Sequence, residues 1–318
     1  MYVARPADKS AIRDALAVLV SRPGLSSAEL DEQIDVLLRY VERRQLSLDH
    51  CLMAQQRGRV IGVCLCVDAP GRTSSVFIPA TSDAPEVAEA VLCLLEESAR
   101  LAAGRRVQVL QGTVHPTAKH EGQLLARAGF QWLAELAYLD SDLTNPVLAG
   151  KSTPALAWQA YSQATHSLFC GVVQKTYADS LDCVGLNGIR DIEDILAGHR
   201  GTGEFDPDLW LVGIVGSEPV GVLLLAYIPE RWAYEVVYMG VLPAWRARGY
   251  GSALLTKAIE LARDRAVTTL TLAVDTRNAP ARRLYDHFGF VEASRRDVWI
   301  RLLGPGVSTG PGDSDACS

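Results

Sequence analysis

The chain has 318 residues, of which 48% are hydrophobic and 21% charged, and its formal net charge at pH 7 is −6. This length and apolar content favour two domains with large cores. The negative charge argues against a nucleic-acid partner, which binds basic surfaces. No apolar run approaches the roughly 20 residues of a transmembrane helix, and the N-terminus lacks the apolar region of a secretory signal. We expect a cytoplasmic protein that binds neither membrane nor nucleic acid.

The cysteines and histidines give no metal-binding pattern in the sequence. The seven cysteines are odd in number and form no Cys-x-x-Cys pair, as expected in a reducing compartment. Cys64 and Cys66 alternate along a predicted strand, so we expect both in the core on one side of a sheet. His166, His199 and His287 lack the spacing of metal ligands. We expect no metal.

Two parts of the chain resemble each other. The hairpin pattern around Gly62 recurs around Gly221, 159 positions later, and the pattern ending at Gly129 recurs at Gly289, 160 positions later. Two independent landmarks with nearly the same offset indicate an internal duplication.

Each half is predicted to contain a strand, helices, a hairpin, a long strand, and then helix, strand, helix and strand. This order favours the α/β (α+β) class, with a mixed twisted sheet flanked by helices in each half. We place the domains at 1–144 and 156–303. Residues 145–155 are predicted to form a linker, and 304–318 a disordered tail rich in Gly, Pro and Ser.

The most informative motif is Arg246-Ala-Arg-Gly-Tyr-Gly251, which lies between an apolar strand pattern and a helical one. A turn that leads into a helix directs free backbone N–H groups at one point, where the helix dipole also favours negative charge. The two glycines allow close approach of the backbone, and the two arginines add positive charge. The motif is typical of a pyrophosphate cradle, although a purely structural turn has the same composition.

This motif, together with Asn278-x-x-Ala-x-x-x-Tyr285-x-x-x-Gly289-Phe290, resembles the GNAT superfamily of acetyl-CoA-dependent N-acetyltransferases. The resemblance covers about residues 155–302, and the N-terminal half matches only in layout. The chain is therefore expected to be two fused GNAT-like units, an arrangement that resembles the mycothiol synthases.

The resemblance implies an acetyl-CoA site in the C-terminal half. In the family, a splayed strand binds the pantetheine arm, and the Arg-x-x-Gly-x-Gly turn takes the pyrophosphate. The residues this assigns to the coenzyme are Val241, Leu242, Arg246, Ala247, Arg248, Gly249, Tyr250, Gly251 and Ser252. Asn278 lies near the coenzyme arm in the family, and it is also predicted to cap its helix.

Two residues are candidates for proton transfer. Glu235 is the one acid in an apolar strand, at the position where histone-type members carry a general base, and burial raises a carboxyl pKa toward neutrality. The alternative is an edge carboxylate that faces water or pairs with Arg231. Tyr285 lies where the family places the tyrosine that donates a proton to the departing thiolate. The alternative is a half-buried helix aromatic.

The acceptor is expected to be a small-molecule amine, since eight acids and only two arginines occupy residues 176–210 and could attract a cation. A solvated helix face has the same composition. Cys170 and Cys183 could carry an acetyl group, but no neighbouring base is evident, so direct transfer in a ternary complex is favoured. The oligomeric state is not indicated.

The N-terminal half lacks the cradle. Residues 80–85, which occupy the corresponding position, contain no arginine and no glycine, and Leu125 stands in the position of Tyr285. We expect this half to bind no acetyl-CoA. A non-catalytic acetyl-CoA sensor is the alternative function. An unrelated nucleotide-binding protein is disfavoured by the absence of Gly-x-Gly-x-x-Gly and Gly-Lys-Ser/Thr loops.

Overall fold

The computed structural model describes residues 3–7, 11–22, 24–80, 84–144, 153–186 and 188–304. The chain divides into two compact units: Met1–Trp132 with Asp297–Ser318, called unit 1, and Leu133–Arg296, called unit 2. The predicted tail lies outside the described residues except for Gly304, and the predicted linker lies outside them except for 153–155.

The strands are β1 (Val3–Pro6), β2 (Cys51–Gln56), β3 (Arg59–Ala69), β4 (Thr73–Phe77), β5 (Val109–Val114), β6 (Gln131–Asp142), β7 (Ala157–Ala160), β8 (Trp210–Val215), β9 (Glu218–Ile228), β10 (Ala233–Val241), β11 (Thr269–Asp275) and β12 (Val291–Leu302). The helices are α1 (Ile12–Val20), α2 (Ser27–Arg43), α3 (Pro85–Gly104), α4 (Lys119–Arg127), α5 (His166–Thr176), α6 (Ile192–Arg200), α7 (Tyr250–Asp264) and α8 (Ala279–His287). No helix in this described part of the chain is both long and apolar enough to span a bilayer.

Both units repeat one strand pattern. In unit 1, β1 to β4 pair antiparallel in sequence, β4 pairs parallel with β5, and β5 pairs antiparallel with the second half of β12. In unit 2, β7 to β10 pair antiparallel, β10 pairs parallel with β11, and β11 pairs antiparallel with β6. The predicted fold class, two units that each hold a mixed sheet flanked by helices, is confirmed.

The last strand of each repeat pairs with a strand of the other repeat. β6 follows the helices of the first repeat but pairs with β11 along all of Thr269–Asp275, and β12 supplies Asp297–Leu302 to β5. The units therefore divide at 132/133 and 296/297, whereas the sequence placed the domains at 1–144 and 156–303. The offset arises because alternation of side chains identifies a strand but does not identify its hydrogen-bonding partner.

The sheet of unit 2 is buried on both faces. Along β9, Val222 and Leu224 pack with α5 and α6, while Leu223 and Leu225 pack with α7. This is why β9 is an almost continuous apolar run rather than an alternating one. In unit 1, Cys64 and Cys66 are buried in the same cluster, as predicted.

This pairing predicts how fragments of the chain will behave. A fragment of residues 156–303 lacks β6 and the residue that follows it, and so loses Leu139 and Leu143, which are buried in the core of unit 2. Burial of two leucines contributes roughly 3–6 kcal/mol, a large share of the 5–15 kcal/mol typical of a domain. We expect this fragment to be largely unfolded by circular dichroism, and a fragment of residues 131–304 to melt cooperatively. Equal melting temperatures for the two fragments would show that β6 is dispensable.

Candidate functional site

A cavity in unit 2 opens where β10 separates from β11. The parallel pairing of these strands covers only Tyr234–Val236, so the rest of β10 leaves its neighbour. The cavity has a volume of about 380 Å³. Eight of the residues assigned from sequence line it: Val241, Arg246, Ala247, Gly249, Gly251, Ser252, Asn278 and Tyr285. Glu235, Leu242, Arg248 and Tyr250 are not among its lining residues.

The free part of β10 presents main-chain groups to the cavity. Tyr238–Val241 pairs with β9 on one side after a register shift at Val237, while the side toward β11 has no strand partner among the residues that the structure describes. Gly240 is required at this point, because a Cβ there would lie 2.8 Å from the Cβ of Thr176 and 3.0 Å from the Tyr238 hydroxyl oxygen. Of these main-chain groups, the Val241 carbonyl is already bonded by Arg246, which leaves those of Tyr238–Gly240 on this side of the strand for a ligand.

The N-terminus of α7 supplies an anion-binding group. Gly249 is the N-cap, with φ of +84°, and no side chain caps the first turn. The first helical bond runs from Ala253 N–H to the Gly249 carbonyl, so the amides of residues 250–252 precede it. Ala247 also has positive φ, +59°, which is unusual for a non-glycine residue. Free amides and the helix dipole favour negative charge at this end.

The guanidinium of Arg246 is used within the protein. It donates to the carbonyl of Val241 at the end of β10 at 3.0 Å. It also donates to three carbonyls at and after the end of α5, those of Thr176, Ala178 and Asp179, at 2.8–3.0 Å. A cation at a helix C-terminus satisfies carbonyls that have no helical partner. Arg246 therefore holds the end of α5 against the cradle.

Arg248 has a different environment. Arg248 is exposed, and its guanidinium lies over the Trp245 ring, 5.5 Å from the ring centroid. Trp245 in turn packs edge-on against Tyr250. A guanidinium held by stacking keeps its N–H donors directed outward, which suits it to bind phosphate oxygens.

Tyr285 lies on α8 and lines the cavity, with only 7% of the residue exposed. Burial, with a smaller effect from the Asp182 carboxylate, raises the pKa of its phenol well above the ordinary value. The group therefore keeps its proton at neutral pH. Asn278 caps α8, because its side-chain oxygen accepts the Ala281 N–H at 3.3 Å, and Gly289 follows the helix with φ of +77°. The predicted cap is confirmed.

Glu235 lies on β10 one residue before the pairing with β11 ends. Tyr234 and Val236 pack with α7, so Glu235 points to the opposite face. Burial raises the pKa of its carboxyl above the ordinary value, and Arg231 opposes this shift only in part. The guanidinium of Arg231 is bonded to Asp140 instead, at 2.8 Å.

A carboxylate–arginine cluster that the sequence analysis did not identify fixes one wall of the cavity. Asp275, at the end of β11, is fully buried, and its carboxylate accepts from the side chain of Arg277 at 2.6 Å and from the Cys183 N–H at 3.2 Å. The Asp182 carboxylate accepts the Asp275 N–H at 2.8 Å. These bonds hold the 177–183 segment, in which Asp179 and Cys183 have positive φ. Two acids separated by 93 residues carry no local pattern by which sequence could have linked them.

Many acids of the 176–210 segment have structural roles. Asp191 caps α6, Glu193 bonds His166, and Asp206 caps a short 3₁₀ helix and pairs with Arg265. Asp179 and Asp182 line the cavity. Three of the eight acids that suggested a cationic acceptor are thus engaged in caps or ion pairs, and two line the cavity.

Among the residues of unit 1 that the structure describes, no strand is open in the way that β10 is. Strand β4 pairs with β5 through Val76 and ends one residue later at Phe77, whereas β10 continues for five residues beyond its last pair with β11. Leu125, in the position of Tyr285, is buried and packs closely against Gly112. Residues 81–83, within the predicted counterpart of the cradle, lie outside the described residues.

Comparisons with known proteins agree with this geometry. Residues 187–290 match the model of the Acetyltransferase (GNAT) family. The chain is 30% identical to the mycothiol acetyltransferase of Beutenbergia cavernae over 179 residues, which cover 53% of this chain and 59% of that protein. It is 32% identical to the thialysine N-epsilon-acetyltransferase of Caenorhabditis elegans over 100 residues, which cover 30% of this chain and 62% of that protein. The chain thus covers less than two thirds of either relative.

The structural likeness covers more of the chain than the sequence likeness does. The GCN5-related N-acetyltransferase of Sphaerobacter thermophilus superposes with a TM-score of 0.64 over 96% of this chain and 97% of that chain, at 18% identity. At this identity the likeness concerns the fold. The motif, the open strand and the family match all fall in unit 2. Residues 187–290 therefore resemble the GNAT acetyltransferase family.

Proposed function

We propose that the protein is an acetyl-CoA-dependent N-acetyltransferase with one active site, in unit 2. The observation that carries the proposal is a single cavity that joins the free edge of β10, the uncapped N-terminus of α7 and the buried phenol of Tyr285. A long ligand would match these three parts: its amide groups would lie along the edge of β10, its pyrophosphate at the N-terminus of α7, and its thioester near Tyr285. The observation also favours an enzyme over a sensor, which has no need of a buried acid.

Coenzyme A is proposed to bind in two segments. The pantetheine amides would pair with main-chain groups of Tyr238–Val241, as an added strand does. The pyrophosphate would receive the amides of 250–252, with Arg248 as the charged side chain. Leu242 is proposed to contribute less than its neighbours, because its N–H already bonds the Val220 carbonyl. Arg246 is proposed to support the site by binding the end of α5 rather than by contacting the pyrophosphate.

Transfer requires two proton movements. The attacking ammonium must lose a proton before its nitrogen can bond to the acetyl carbon, and the sulfur must gain one as the C–S bond breaks. Tyr285, protonated and in the cavity, is the proposed donor to sulfur. Glu235, with its raised carboxyl pKa beside the point where β10 and β11 separate, is the proposed base. Direct transfer in a ternary complex fits a site in which neither residue is a nucleophile.

The acceptor is proposed to be a small amine. The two relatives are named for small molecules, mycothiol and thialysine. Unit 1 is proposed to bind no acetyl-CoA, because β4 offers no free edge like that of β10.

Substitution of the two arginines of the motif is expected to have different effects, one on coenzyme binding and the other on stability. Arg248→Ala should weaken coenzyme A binding roughly tenfold or more, the effect of one charge-assisted hydrogen bond of about 1.5 kcal/mol or more. The loss should shrink at high salt. Arg246→Ala should instead lower the free energy of unfolding by roughly 2–4 kcal/mol, because four carbonyls lose a charged donor. Calorimetric titration and thermal melting measure the two effects.

Arg283→Ala is the matched control, since it removes the same charge from an exposed position on α8. Coenzyme binding that is equally weak in the Arg248 and Arg283 variants would mean that only net charge matters.

Glu235→Gln should lower kcat by about 10²–10⁴-fold, the usual contribution of a general base, with acetyl-CoA affinity unchanged. In the wild type, kcat should fall as pH drops through a midpoint above the ordinary carboxyl pKa. A raised folded-state pKa means that this carboxyl stabilises the fold only when protonated, and that this stabilisation is lost as pH rises. The Gln variant should therefore melt no lower than wild type at pH 8.

Glu218→Gln, at the exposed start of β9, is the control for Glu235. Wild-type turnover in Glu235→Gln would remove the residue from the mechanism.

Tyr285→Phe keeps the ring, including its contact with Phe290 at 5.6 Å between centroids, and removes only the hydroxyl. We expect kcat to fall about a hundredfold, with KM for acetyl-CoA and the melting temperature nearly unchanged. Steady-state release of free thiol measures this, with Tyr227→Phe on β9 as the control. If both variants turn over like wild type, Tyr285 serves packing alone.

A further inference from the structure

A second cluster of chemically active side chains lies on α5 and α6. His166 and Cys170 are one helical turn apart on α5, and Glu193 lies in the first turn of α6. The imidazole Nε2 of His166 is 3.0 Å from Glu193 Oε1 and 3.4 Å from Cys170 Sγ, and Sγ is 3.5 Å from Glu193 Oε1. Nitrogen, sulfur and oxygen donors thus form a nearly regular triangle.

The triangle has the dimensions of one face of a tetrahedral zinc site. With Zn–S of about 2.3 Å and Zn–N and Zn–O of about 2.0 Å, tetrahedral angles separate sulfur from nitrogen or oxygen by about 3.5 Å, and nitrogen from oxygen by about 3.3 Å. The two sulfur separations agree closely, and the nitrogen–oxygen separation is shorter by about 0.3 Å, as suits a hydrogen bond. A small increase in the distance between His166 Nε2 and Glu193 Oε1 would admit the ion.

The imidazole is also oriented as a metal ligand is. Its other nitrogen, Nδ1, is 3.0 Å from the Tyr161 hydroxyl oxygen, which in turn accepts from Arg200 Nη2 at 2.6 Å. The Arg200 guanidinium is held over the Tyr161, Phe205 and Trp210 rings. Such outer partners fix the orientation of the ring, and a proton on Nδ1 that is donated to Tyr161 would leave Nε2 for the ion.

We propose that His166, Cys170 and Glu193 form a Zn²⁺ site with a fourth position open to water. Thiolate, imidazole and carboxylate are all ligands of zinc, and three protein ligands leave one coordination position free. On binding, the ion replaces the thiol proton of Cys170, which is released to solvent. Glu193, whose side chain is 63% exposed, provides the route of entry.

The site would cross-link two helices that shape the wall of the acetyl-CoA cavity. α5 ends at Thr176, which lines the cavity and bonds the Tyr238 hydroxyl at 2.9 Å. α6 carries His199, whose ring stacks on Tyr238 at 5.3 Å between centroids. The proposal does not depend on the catalytic one, because binding is measured without turnover.

The sequence did not predict this site, because its ligands come from two helices and only His166 and Cys170 share a local spacing. The structure also gives Cys170 the neighbouring imidazole that the sequence did not reveal. The group Asp182, Cys183 and Asp275 also brings three donor atoms together. There, however, both carboxylate oxygens of Asp275 are already bonded by Arg277. That group therefore serves as an internal control.

The test is a titration of the full chain, freed of metal with a chelator and kept reduced, with Co²⁺ as a spectroscopic substitute for zinc. We expect a thiolate-to-cobalt absorption band in the near ultraviolet that saturates at one equivalent and is abolished by Zn²⁺. Cys170→Ser should lose the band, and Glu193→Gln should weaken binding at least tenfold. The exposure of Glu193 makes its variant safe for folding, and circular dichroism verifies this.

Cys183→Ala is the control and should keep the band. The absence of a band in the wild type overturns the proposal, as does a band retained in Cys170→Ser or binding unchanged in Glu193→Gln. A band lost in Cys183→Ala would move the site to the other cluster, and would equally overturn the assignment.

Discussion

The candidate site depends on the point at which β10 and β11 cease to pair. Up to Val236 the two strands satisfy each other's main-chain groups, and beyond it the only described strand that pairs with β10 is β9. Backbone groups that are buried without partners are costly, so an opening of this kind persists in a fold only where a ligand or water can satisfy them. The opening also leaves room between the ends of the two strands, and the following helices, α7 and α8, direct an uncapped N-terminus and a phenol into that space.

Two charged side chains hold the opening in shape from within the protein. Arg246 links the end of β10 to the end of α5, and Asp275 fixes the 182–183 main chain beside β11. The buried carboxylate of Asp275 is compensated by Arg277, whose hydrogen bonds overcome the effect of burial and hold its pKa below the ordinary value. Each of these residues acts on main-chain atoms, so the wall of the cavity depends on a few strong bonds rather than on packing alone.

The sequence predicted those parts of the site whose cause is local. The Arg246–Gly251 motif and the cap at Asn278 each depend on neighbours within a few residues, and the turn and the cap lie where they were predicted. The repeat offset likewise indicated two units of similar topology. In contrast, the partner of β6, the direction of the Arg246 guanidinium and the meeting of Cys170 with Glu193 depend on tertiary contacts over 20 to more than 100 residues. Alternation and spacing carry no information about such partners.

The central claim is that this one opening, and nothing comparable in unit 1, binds coenzyme A. Hydrogen–deuterium exchange of the full chain with and without coenzyme A tests it most directly, because the proposed ligands are main-chain amides. The account predicts slower exchange in peptides that cover Tyr238–Val241 and residues 246–252, with no change in peptides that cover β4 and the start of α3. Protection in unit 1, or none across 238–252, would contradict it.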